Sequence, residues 1–147
     1  MFACKVTFTF LLLCVCLAVQ GDNSDPNWNL YFEDTFEGNS VNTSNWNVWQ
    51  NRTHGSQELE LYLEEEVYVT GGNLVIRTSS RDVMYGNKPY NFTSGWVDTN
   101  GKVEFLYGKI EADIKLPKEN QAVWPAWWLV ADSTYCWPKS GEIGPYE

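Results

Sequence analysis

Apolar and polar residues alternate most regularly between positions 108 and 116, where Ile110, Ala112, Ile114 and Leu116 interleave with Lys109, Glu111, Asp113 and Lys115. A two-residue period places one set on each face of a pleat. The segment therefore predicts a half-buried strand, ended by Pro117, which has no N–H for a ladder. An aromatic-rich stretch over 29–36 predicts another strand, broken by Gly38-Asn39-Ser40. Two hairpins are expected, one joining 67–70 to 74–78 through Gly71-Gly72-Asn73, the other joining 95–99 to 102–106 through Asn100-Gly101. The run over 123–130 is apolar in both phases, as in a central strand covered on both faces, with Pro125 near its start. No stretch carries a convincing 3.6-residue period, an internal repeat or a low-complexity linker. Many short antiparallel strands with glycine-rich turns predict an all-β fold, a β-sandwich of the jelly-roll kind.

The N-terminus changes the picture of where such a domain works. Lys5 precedes an apolar run over 6–19, followed by compact residues at Val19-Gln20-Gly21. Residues 1–21 read as an export signal and 22–147 as one mature domain, because the run is too short to cross a bilayer. Asn42, Asn51 and Asn91 each open an Asn-X-Ser/Thr triplet, which fits a glycosylated, extracellular product. Cys4, Cys14 and Cys16 leave with the signal, so Cys136 remains as an odd cysteine, with a partner elsewhere or as a buried thiol. Loss of Lys5 leaves nine basic against 19 acidic residues, a balance that repels phosphate backbones and anionic membranes. Neutral ligands such as glucans remain open, and the chain is expected to be a monomer without metal or cofactor.

All eight tryptophans fall in the mature part, more than a core of this size needs, which suggests that some rings serve a ligand. The last eleven residues add Glu142 and Glu147, five positions apart, beside Trp137. Paired carboxylates among aromatic rings suit glycoside hydrolysis, which requires an acid together with a nucleophile or base. In a regular strand an odd spacing sends 142 and 147 to opposite faces, so they can cooperate only if a β-bulge absorbs one residue. Spacing alone leaves open that both are solvated loop carboxylates.

The segment Trp137-Pro138-Lys139-Ser140-Gly141-Glu142-Ile143 with Glu147 resembles the active-site signature of glycoside hydrolase family 16, in its laminarinase and β-1,3-glucan-recognition branch, usually read G-E-I-D-I-M-E. Other blocks are similar in the same order. Leu30-Tyr31-Phe32-Glu33-Asp34-Thr35-Phe36 looks like the opening strand, Gln57-Glu58-Leu59-Glu60-Leu61-Tyr62 like N-E-L-Q-Y-Y, and Gly72-Asn73-Leu74-Val75-Ile76 like G-x-L-x-I. Tyr107-Gly108-Lys109-Ile110-Glu111 with Lys115-Leu116-Pro117 resembles Y-G-R-x-E…K-L-P, and Trp124-Pro125-Ala126-Trp127-Trp128-Leu129 resembles W-P-A-F-W-L.

The resemblance implies a concanavalin A-like jelly roll and a secreted, retaining endo-β-1,3-glucanase or a relative acting on another β-glucan or galactan. Glu142 would be the nucleophile, Glu147 the general acid/base, Trp124 and Trp128 the stacking platforms, and Gln57, Glu58 and Trp96 further substrate contacts. Three departures stand out. Gly144 replaces the aspartate between the glutamates, Trp96 stands where arginine commonly follows Thr-Ser-Gly, and the family's catalytic domain is about twice this long. Strands that wall the cleft are thus expected to be missing on the C-terminal side. A non-catalytic β-1,3-glucan-recognition protein and an inactive fragment are the alternative readings; retention of Glu142 favours the enzyme lineage over the recognition protein.

Overall fold

The computed structural model describes residues 28–55, 57–118, 123–132 and 137–146. The chain divides into two compact units, Met1–Ile114 and Lys115–Glu147. The expected export signal over 1–21, Cys136 and Glu147 lie outside the described residues.

In the first unit, β1 (Asn47–Val48) pairs antiparallel with β7 (Val97–Asp98). A three-stranded sheet runs in the order β2 (Glu60–Tyr62), β6 (Lys88–Ser94), β5 (Ser79–Tyr85). The third pairing is the hairpin of β3 (Val67–Thr70) and β4 (Asn73–Ile76). Here Thr70 faces Asn73 across Gly71-Gly72, both with positive φ (56° and 71°), the backbone that tight two-residue hairpins demand and that side chains resist. Just past Ile76 the Arg77 N–H still meets the carbonyl of Glu66, which lies opposite it in the same register, at 2.8 Å. Glu66 closes a 3-10 turn (Glu64–Glu66) between β2 and β3.

Phe36, Trp46 and Val69 are buried together, with Phe32, Val41, Leu74 and Val97 packed around them. A second cluster, Leu61, Leu63 and Tyr90 with Val83, lies on the three-stranded sheet.

Several expectations are corrected. Residues 29–36 form no ladder; side chains hold them instead, since Asp34 accepts from the Phe36 N–H (2.9 Å) and from Trp46 Nε1 (2.7 Å). Asn100-Gly101 does turn, but 102–106 does not return along β7. Lys102 and Val103 both donate backbone N–H to the Thr99 carbonyl, and Lys102 Nζ is drawn to the carbonyls of Thr43 and Trp46. Segment 108–116 is not a strand, for among the described residues no ladder partner lies beside it. Pairing is not uniformly antiparallel, because β2 runs parallel to β6, with the β3–β4 hairpin and β5 between them in the chain. The hairpin of β5 and β6, around Gly86-Asn87, is an addition to the expected set.

In the second unit, β8 (Trp127–Val130) pairs antiparallel with β9 (Glu142–Tyr146). Only 127–130 of the expected 123–130 strand forms. Its first three residues are half-buried and Val130 is exposed, so it is not a strand covered on both faces.

Candidate active site

The register of β1 against β7 sets Val48 opposite Val97, which makes Trp49 and Trp96 the next cross-strand pair. Their backbones join through Trp49 N–H to the Trp96 carbonyl (3.1 Å), and the indoles stack at 4.2 Å between centroids, 20° from parallel. Tyr62 meets Trp96 edge-on at 5.4 Å, and His54 lies 4.9 Å from it. The Arg52 guanidinium sits 4.5 Å from the Trp49 ring centre, carried there by a β-bridge from Arg52 to Tyr62. Asp98, opposite Asn47, receives Trp49 Nε1 (2.8 Å) and Trp96 Nε1 (3.3 Å) on one oxygen. Its other oxygen receives Asn47 Nδ2 (2.7 Å) and the Asn100 N–H (3.1 Å). Partial burial pushes the Asp98 carboxyl up, but these donors outweigh it and hold it below its ordinary value.

Two more carboxylates border the rings. Glu58 takes His54 Nδ1 (3.1 Å), the Gly55 N–H (3.1 Å) and the Tyr62 hydroxyl (3.3 Å). Burial raises its carboxyl and these contacts lower it, with a net downward displacement. The Tyr62 hydroxyl also reaches Glu60 at 3.0 Å. Burial, then the charges of Glu60 and Glu58, hold that phenol far above its ordinary value, so it stays a donor. Of the residues expected from sequence, Glu58 and Trp96 thus meet in one cluster through Tyr62, while Gln57 is exposed beside them in the chain. Trp49, His54, Tyr62 and Asp98 were not anticipated. The spacing of Trp49 and Trp96 about a two-strand pair is the signal that would have found them.

In the second unit the Trp124 side chain is 79% exposed, ahead of β8, and Trp128 is half-buried within it. Trp137 Nε1 donates to Glu142 Oε2 at 2.6 Å. Leu129 faces Ile143 and Trp127 faces Tyr146, so two steps on β8 match three on β9. One residue of β9 is therefore bulged between Ile143 and Tyr146.

Asn42, Asn51 and Asn91 are all exposed. An open cavity of about 580 Å³ lies elsewhere in the first unit, among Trp28, Tyr31, Phe105 and Tyr107, and none of the expected site residues lines it. Among the described residues, no group of three His, Cys, Asp or Glu side chains is placed to hold a metal ion.

No family model matches the chain. It is 32% identical to a β-glucanase of Rhodothermus marinus over 95% of its own length and 51% of the relative's. It is 34% identical to a glucan endo-1,3-β-glucosidase of Cryptopygus antarcticus, over 92% of this chain and 50% of that one. The clotting factor G α subunit of Tachypleus tridentatus is 35% identical over 90% of this chain and 20% of its own. The chain therefore spans from about a fifth to about half the length of these relatives. Among solved structures, the endo-β-1,3-glucanase of Pyrococcus furiosus matches with a TM-score of 0.50 and 34% identity, over 53% of this chain and 33% of that one. The fold is all-β, of the jelly-roll kind.

Proposed function

Because the chain carries a laminarinase-like region of glycoside hydrolase family 16, we propose that it belongs to a secreted retaining hydrolase of β-glucans, cutting β-1,3 links within the polymer. The observation that carries this is the one-residue bulge in β9. Such an irregularity is what two carboxylates five positions apart need before they can cooperate. Two carboxyls on one face can approach the roughly 5 to 5.5 Å separation that double displacement needs.

Glu142 attacks the anomeric carbon while Glu147 gives its proton to the departing glycosidic oxygen. Glu147 then takes a proton from a water whose oxygen bonds to the anomeric carbon, breaking the glycosyl ester and returning Glu142 as a carboxylate. The Trp137 N–H orients Glu142 through Oε2, so Oε1 is the attacking atom. Trp124 and Trp128 offer rings to the C–H faces of the glucan, and Gln57, Glu58 and Trp96 are the further substrate contacts that the family resemblance implies. Export past residue 21 and sugar attachment at Asn42, Asn51 and Asn91 complete the reading. They predict a product in culture medium that begins near Asp22 and shrinks on deglycosylation.

A second reading is recognition without cleavage, favoured by Gly144. With no carboxylate between the glutamates, nothing at that position helps keep one protonated and the other ionised. The deciding experiment follows reducing ends released from laminarin by the wild type and by Glu142→Gln. Cleavage with retention, lost in the variant while laminarin still binds, supports the hydrolase. Tight binding with no cleavage by the wild type transfers the assignment to recognition.

A further inference from the structure

We infer that Arg52 is a binding residue that sets specificity: its guanidinium grips two adjacent hydroxyls of one glucose and so selects β-glucans that contain 4-linked units. The inference rests on the glucan reading above and deepens it by naming the class of substrate.

Arg52 is fixed at both ends. Its backbone bridges to Tyr62, whose N–H meets the Arg52 carbonyl at 2.9 Å. Its guanidinium lies over the Trp49 ring, 4.5 Å from the centre, on the face that Trp96 leaves, because two planes 4.2 Å apart admit no cation between them. Trp49 cannot turn beneath it, since Trp49 Nε1 is held by Asp98 at 2.8 Å. Such a contact supplies no oxygen to the five N–H donors of a guanidinium.

Among the described residues no acceptor meets those donors, although carboxylates border the same cluster. Each of these is satisfied by other groups. Glu58 takes His54, Gly55 and Tyr62, Glu60 takes Tyr62 and the Leu59 N–H, and Asp98 takes both indoles, Asn47 and Asn100. The Arg52 side chain is exposed, so an unspent fork stands at the edge of a cluster that holds Glu58 and Trp96.

A planar fork offers two parallel N–H groups and suits a pair of oxygens side by side. Glu58, Glu60 and Asp98 nearby, in a chain with 19 acidic residues against 10 basic, disfavour an anion and leave neutral hydroxyls. A 4-linked glucose carries free hydroxyls on its adjacent second and third carbons. An internal 3-linked glucose has no two free hydroxyls on adjacent ring carbons, so it cannot satisfy the fork. A guanidinium placed in advance loses little rotamer freedom on binding, which favours affinity.

Arg52→Lys is the sharp probe, because it keeps the charge above Trp49 and removes the fork. With the full chain, binding to soluble mixed-linkage β-1,3-1,4-glucan and to an unbranched β-1,3-glucan is followed by affinity electrophoresis. The variant is expected to bind the mixed-linkage polymer about tenfold more weakly and the β-1,3-polymer within about twofold of wild type, at an unchanged melting temperature. If the variant fails to fold, the Arg52 guanidinium resonances of the wild type carry the test. They should shift and exchange more slowly when mixed-linkage oligosaccharides are added, and ignore the same oligosaccharides after periodate has cut every adjacent hydroxyl pair.

Equal losses on both polymers, no loss on either, or a wild type that does not bind the mixed-linkage polymer overturns the selection of 4-linked units. Resonances that ignore the untreated oligosaccharides overturn the contact itself. Reducing ends still released from laminarin leave the hydrolase reading intact in each case. A wild type that binds neither polymer and releases no ends overturns the role of Arg52 together with that reading.

Discussion

Replacing Glu66 by alanine removes an acceptor shared by three donors. The carboxylate is fully buried and takes Thr93 Oγ1 at 2.6 Å on one oxygen, with Arg77 Nε at 2.6 Å and Ser79 Oγ at 3.1 Å on the other. Thr93 is equally buried, so its hydroxyl would be left without an acceptor at a cost of about 1 to 3 kcal/mol. Arg77 is half exposed and regains water, so its ion pair counts for no more than about 1 kcal/mol, and partly buried Ser79 for a similar amount. The expected loss is about 2 to 5 kcal/mol, a large share of the roughly 5 to 15 kcal/mol that holds an ordinary domain. In urea, with an m-value near 2 kcal/mol per M, the midpoint should fall by about 1 to 2.5 M while m stays constant.

Glu66→Gln should cost less, because the amide can turn its oxygen to Arg77 and Ser79 and its NH2 to the Thr93 hydroxyl, which then accepts. Acid sensitivity separates the variants further. Burial raises the Glu66 carboxyl, but its bonds to Thr93, Arg77 and Ser79 outweigh that and depress it below the ordinary 4.5. The contribution is therefore complete above about pH 4.5 and is lost as pH falls through the lower folded value. Glu66→Gln should flatten that acid limb. A midpoint for Glu66→Ala within about 0.5 kcal/mol of wild type would refute the shared-acceptor account.

Gly95→Ala would place a methyl 2.6 Å from Val67 Cγ2 and 2.8 Å from the Glu66 carbonyl, so a melt should show a loss of about 1 to 3 kcal/mol. An unchanged melting temperature would mean that the corner yields freely. Trp124→Ala should raise KM for laminarin more than it lowers kcat, since stacking supports ground and transition states alike; a pure kcat effect would contradict its assignment as a binding platform. In an alkaline absorbance titration the Tyr62 phenol should ionise well above the ordinary range near 10, and Glu58→Gln with Glu60→Gln should bring it down. No change in the double variant would deny those carboxylates their influence.

The parts of the fold that were legible in sequence are those specified by local chemistry. Gly71-Gly72 between two strands favours a two-residue turn, and β3 and β4 meet there. The misses share a cause. Alternation over 108–116 announces a strand, but a strand exists only with a partner. The β5–β6 hairpin stayed hidden because Ser79-Ser80-Arg81-Asp82 is polar in both phases and Pro89 argues against a ladder; its Gly86-Asn87 loop was the available clue. For the site, Glu58 and Trp96 were reached through family motifs, whereas Trp49 and Asp98 belong to it only through cross-strand register, which no local pattern carries.

Thr93 has a consequence in time. The triplet Asn91-Phe92-Thr93 is read by a glycosylating enzyme through the threonine as well as the asparagine, yet in the folded sheet that hydroxyl is shut inside and bound to Glu66. In a cell that decorates this chain, attachment at Asn91 must win a race against closure of β5 and β6. Asn42 and Asn51 sit in triplets whose residues all stay exposed, and they run no such race. Slow translation or delayed folding should raise occupancy at Asn91 alone, which would make the sugar count of a chain so decorated a record of how quickly its sheet formed.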